Sequence, residues 1–189
     1  MPEASIGADK QKCGRHEYPV SGNFETFISR IQSPNLQAVA QFWHEARGNK
    51  QMPSWTDIES PILSPYSRLL WSYSYDAETG EFTGRSAGRF SKWVGGNFCD
   101  RRLQDICPPS TYGEAQQFLI KLVTTPLAGR FSGRLFKVGD FTVTGERIIL
   151  PLAADGKTGD GVLGASDYVP PPLLGPFEMI LENMEWYAI

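Results

Sequence analysis

The stretch GGNFCDRRLQDIC, residues 95–107, sets Asn97, Cys99 and Cys107 beside a run of arginines. Residues of these types can do three kinds of chemistry. A thiolate attacks carbonyls, disulfides or flavins. Paired thiols hold zinc, and guanidinium groups interleaved with aromatics grip phosphates and stack on bases. Each needs its own spacing. Zinc sites take cysteines about two to four residues apart plus further Cys or His. Cys99 and Cys107 are separated by seven residues, and the third cysteine, Cys13, is remote. A catalytic thiol or hydroxyl needs a neighbouring base, yet the two histidines, His16 and His44, fall in other segments. The pattern assigns no catalytic residue and no metal ligand.

The basic run is Arg85, Arg89, Lys92, Arg101 and Arg102, interleaved with Phe90, Trp93 and Phe98. One reading is a single-stranded nucleic-acid surface. The net charge of −3 supplies no general attraction to polyanions. A plainer reading makes the arginines solvated and the aromatics core. Between these lies a third reading, in which Arg89 and Arg101 face a cleft and pair with an anionic ligand or a partner's carboxylate.

The elements that would position such residues follow from periodicity. The 189 residues, 41% hydrophobic and 12% aromatic, suit one domain with extensions. No run approaches the ~20 apolar residues of a membrane span. The N-terminal segment lacks the apolar stretch of a secretory leader, and the cysteines are few and odd in number. These features lead to a cytoplasmic expectation. Residues 1–22 read as a disordered arm and 23–48 as a helical flank. There Phe24, Phe27, Ile28 and Ile31 form a helical stripe after Asn23, suited to a homodimer seam. A second helix opens with Ser33 as N-cap and Pro34 at its first position, buries Leu36, Val39, Ala40 and Trp43, and stops at Gly48.

Beyond residue 48 the period changes. LLWSYSYD alternates in twos and pairs through AETG with EFTGRSAG, the pattern of a hairpin. Short helical pieces follow, with Asp100 as an N-cap, then a long helix expected to open on a Thr111–Glu114 capping box. Three strands close the domain at residue 169: GRFSGRLFKV, FTVTGERIILPLA and VLGASDYV. Residues 170–189 read as a tail. Two strands, a helical crossover and three strands predict an α+β fold, a five-stranded antiparallel sheet with helices on one face.

This order, with the passages LQAVAQFWHEARGNKQMPSWTDI, SPYSRLLWSYSYD, GRSAGRFSKWVGGNFCDRRLQDI and RIILPLAADGKTGDGVLGA, resembles the bacterial single-PAS-domain family common in alphaproteobacteria. The resemblance covers about Leu36 to Val169 and departs at Arg89, where the family usually has Thr after the Gly. It implies a PAS-like domain over 49–169, acting as a stand-alone sensor or adaptor without catalysis. Such a domain binds a small molecule between sheet and helices and signals through a partner such as a sensor kinase or regulator. The ligand-binding residues it implies are Trp71, Tyr73, Arg89, Trp93, Arg101, Phe118 and Leu122. Light-sensing relatives carry Asn-Cys-Arg-Phe-Leu-Gln. NFCDRRLQ shifts the cysteine by one residue, which on a helix turns a side chain by about 100° and argues against flavin. A haem would need an axial ligand on the long helix, and TYGEAQQFLIKLVTT has no His. A Cys99-dependent flavin photoreceptor or enzyme and a nucleic-acid module over 85–102 stand as the alternatives.

Overall fold

The computed structural model describes residues 19–170 and 177–189, apart from the side chains of 93–95 and 177. The expected arm therefore lies outside the described residues as far as residue 18, and with it Cys13 and His16.

Local signals decide the helices. In α1 (Phe24–Arg30) the Asn23 side chain accepts the Thr26 N–H at 3.0 Å. In α2 (Pro34–Arg47) Ser33 caps the Leu36 N–H, Pro34 opens the first turn, and Gly48 ends the helix at φ 53°. Ser54 and Asp57 form a reciprocal capping box on the short α3 (Trp55–Ile58). The short α4 spans Arg89–Gly95, and α5 runs from Pro109 to Thr124. The expected capping box on α5 is corrected: Pro109 starts the helix two residues before Thr111, whose hydroxyl donates to the Pro108 carbonyl. Asp100 is no N-cap either. It turns the chain at φ 60°, and its N–H and the Arg101 carbonyl bond to Gly84, so that 98–102 leans on a strand edge.

Among the described residues, eight strands make one sheet. They are β1 (Val20–Gly22), β2 (Leu70–Asp76), β3 (Glu81–Ala87), β4 (Leu127–Val138), β5 (Phe141–Leu152), β6 (Gly161–Tyr168), β7 (Phe177–Met179) and β8 (Met184–Ala188). The order is β1-β8-β4-β5-β6-β2-β3, with β7 pairing β4 beside β8. Every pairing is antiparallel except β1 with β8. The fold is α+β, as expected, but the five-stranded sheet is corrected to eight strands: residues 20–22 of the expected arm form β1, and β7 and β8 of the expected tail also belong to the sheet.

A second correction concerns the faces. Along β5, Val143 and Ile149 point to one core, and Ile148, Leu150 and Leu152 to another. The first core lies under α5 and the turn at Leu103–Asp105. The second lies under α1, α2 and α3. Helices therefore cover both faces, and strands buried on both sides read as continuous apolar runs such as IILPL. The homodimer seam is corrected with it. Phe24, Phe27 and Ile31 are buried in the second core, Phe27 completely, against Trp43 and Tyr187, and Ile28 is half-buried beside them. The stripe finds its partner within its own chain.

Candidate functional site

Between the sheet and α5 lies a cavity of about 100 Å³. Strand β2 supplies Trp71 and Tyr73, α5 supplies Ala115, Phe118 and Leu119, and β4 supplies Phe131 and Phe136. Phe136 faces this side because a bulge between Arg134 and Phe136 changes the strand's alternation. Its ring meets Tyr168 edge-on at 5.0 Å. Phe98 closes another wall, stacked on Tyr73 at 5.1 Å.

The polar end is built by β5 and β6. Arg147 stands opposite Ser166 in the register, and both side chains line the cavity. Ser166 Oγ accepts the Arg147 Nε–H and the Trp71 indole N–H, each at 3.0 Å. Trp71 also lies under the guanidinium, 5.9 Å from ring centre to Cζ. Arg147 is 8% exposed, and among the described residues it enters no ion pair. The nearest acids in sequence cannot reach it. Glu146 and Asp167 flank Arg147 and Ser166 on the same strands, and successive strand residues point to opposite faces. On that far face Glu146 accepts from Arg130 Nε at 2.7 Å, while Asp167 accepts from the Ser33 hydroxyl at 2.5 Å.

The other titratable groups here are neutral at pH 7. Burial pushes the Cys107 thiol up to about 11 and the Tyr168 phenol to about 12, and it raises Tyr73 further still. For Arg147 burial pulls the other way, opposing its charge. A guanidinium stays protonated regardless, so among the described residues the site carries one positive charge in a mostly apolar wall.

Of the residues expected to bind ligand, Trp71, Tyr73 and Phe118 line the cavity. Leu122 is buried in the same core but does not line it. Trp93 falls on α4, and its side chain lies outside the description. The two arginines are corrected. Arg89 is exposed at the start of α4, and Arg101 is exposed with its guanidinium donating to the Asp105 carbonyl at 2.5 Å. The cavity's arginine is Arg147. Its signal was parity: it shares a strand face with Val143 and Ile149. In the 85–102 run, Phe98 is buried and Phe90 packs on Tyr168, so neither ring is a free stacking platform. Arg85 covers Trp55, and Arg102 pairs with Glu81.

Gly164 of β6 gives Trp71 its place. A Cβ there would stand 2.1 Å from the Trp71 indole. Replacing Gly164 by Ala is expected to displace that ring and destabilise the fold by about 1–3 kcal/mol. An unchanged urea midpoint would contradict this packing.

No family model, curated protein or solved structure matches the chain. The site must therefore speak through its own chemistry. Among the described residues, no helix is long and apolar enough to cross a membrane.

Proposed function

We propose that the protein is a non-catalytic sensor or adaptor of PAS type. It holds a small molecule between sheet and α5 and passes its state to a signalling partner such as a sensor kinase or regulator. The observation that carries this reading is the cavity walled by Trp71, Tyr73 and Phe118, at the place a ligand would sit between the sheet and the crossover helices. The five strands β2 to β6 also keep the chain order of two strands, helical crossover and three strands.

A route outward follows from strand geometry. Strands β5 and β6 turn Arg147 and Ser166 to the cavity, and turn Glu146 and Asp167 to the junction of α1 and α2. A ligand that shifts either strand shifts the seat of that helical layer, so occupancy and helix docking are linked through two strands.

Native mass spectrometry of gently purified protein, with a thermal-shift screen of small organic molecules, tests the reading. A compound present at 100 times its Kd adds about 2.7 kcal/mol, or about 5–10 °C in Tm for a chain of this size. Replacing Ala115 by Leu, which fills the cavity from α5, is expected to remove that shift. A screen in which nothing binds, or in which the Leu variant binds as well as the parent, counts against the reading.

A further inference from the structure

We infer that the cavity takes a small monocarboxylic acid with an apolar body, its carboxylate on Arg147 and Ser166 and its body against Phe118, Phe131 and Ile149. The inference rests on the small-molecule reading above and names the chemistry of its ligand.

The argument is one of unmet donors. Arg147 uses Nε on Ser166, and its two terminal nitrogens have no acceptor among the described residues. Ser166 Oγ already accepts two hydrogen bonds, so what it still offers is its own O–H. Tyr73 lines the same space, and its hydroxyl has no hydrogen-bond partner among the described residues. Arg147 and Ser166 thus leave donors open at the polar end of the cavity. A carboxylate supplies the missing half, since its two oxygens accept the paired N–H groups of a guanidinium fork.

Charge and shape narrow the class. Among the described residues Arg147 is the one cation lining the cavity, so a monoanion balances it, whereas a phosphate dianion would remain half-compensated. Most of the rest of the wall, from Leu103 and Leu119 to Phe136 and Met179, is apolar. Ser91, Cys107 and Tyr168 also line it, and Tyr168 donates its hydroxyl to the Phe90 carbonyl, so a second strongly polar end finds little to pair with. The opening of about 100 Å³ favours a body the size of one ring or a short alkyl chain. The indole beside the guanidinium and the Ser166 hydroxyl on its Nε restrain Arg147 at the cavity wall.

The test uses the full chain with benzoate, phenylacetate and hexanoate, set against benzamide and inorganic phosphate, and reads Tm and calorimetric Kd. At least one acid is expected to raise Tm and to bind tenfold or more tightly than its neutral amide, with phosphate inert. Arg147→Met is expected to lose that preference and to melt at or above the parent's temperature when no acid is present, because it removes an uncompensated buried charge. Arg147→Lys keeps the charge but not the fork and should fall between.

Benzamide binding as tightly as benzoate overturns the inference and leaves the small-molecule reading standing. Acid affinity that survives Arg147→Met overturns it as well. An Arg147→Met variant that melts lower than the acid-free parent refutes the uncompensated charge. If neither acids nor amide bind, the inference falls, and the small-molecule reading is decided by the broader thermal-shift screen.

Discussion

A chain lacking residues 184–189 is expected to lose cooperative folding altogether. These residues include the whole of β8, which pairs with β1 on one side and with β4 on the other. Two adjacent aromatics then serve opposite faces of the sheet. Trp186 packs on Phe118 at 4.8 Å, beneath α5, and Tyr187 packs on Phe27 at 5.4 Å, beneath α1. Both side chains are 1% exposed. Burying two aromatics of ~150–250 Å² each at ~25 cal/mol per Å² amounts to about 7–12 kcal/mol as an upper figure. That matches the whole net stability of a typical domain, about 5–15 kcal/mol. The loss also leaves Leu127–Phe131 of the β4 edge unpaired, an invitation to aggregate. Far- and near-ultraviolet circular dichroism with urea titration should find no sharp transition. The milder Trp186→Ala is expected to fold with a loss of about 3–5 kcal/mol. A truncated chain with a steep transition and intact near-ultraviolet signal would show that β8 is dispensable.

That strand was hidden in the sequence for a physical reason. MEWYA has no period-two alternation because β8 is apolar on both faces where it matters, and its partners lie far away along the chain. Helix starts, by contrast, are written locally. Asn23 and Ser33 cap within three residues of themselves, and both were legible as caps. The five strands β2 to β6 were legible too, since each alternates or is bounded by turn residues. What alternation could not convey was that a second helical layer closes the other face. The arginine of the cavity was missed by the same habit. Arg89 and Arg101 drew notice because they cluster with other basic residues, and clustered charges are usually solvated. Arg147 stands alone between apolar residues of equal parity, and solitude on a core face is what marks a buried charge.

Glu146→Ala is expected to destabilise the fold by about 3–5 kcal/mol, the usual effect of breaking a buried ion pair from one side. Arg130 and Glu146 are 4% and 5% exposed. Glu146 Oε1 accepts from Arg130 Nε at 2.7 Å, and Oε2 accepts the Ser33 and Gln32 N–H groups at 2.7 and 2.9 Å. One carboxylate thus neutralises a buried guanidinium and ends the chain's passage from α1 to α2. Without it, Arg130 keeps only the partly exposed Glu185, and two backbone donors lose their acceptor. Glu146→Gln, which keeps an acceptor, should lose less. Arg130→Met with Glu146→Leu should recover much of the loss, since matched apolar residues can replace a buried pair. Glu185 adds a pH dependence. Burial raises its carboxyl, but the Tyr187 hydroxyl and Arg130 outweigh that and hold it below the ordinary glutamate value. A group depressed in the folded state stabilises above its unfolded value and loses that contribution as pH falls through the folded one. Stability should therefore decline from the ordinary glutamate range downward, and less so in Glu185→Gln. Urea midpoints of the four variants across that range measure both effects. A loss under about 1 kcal/mol for Glu146→Ala would mean that apolar packing, not this carboxylate, seats the helical layer on the sheet.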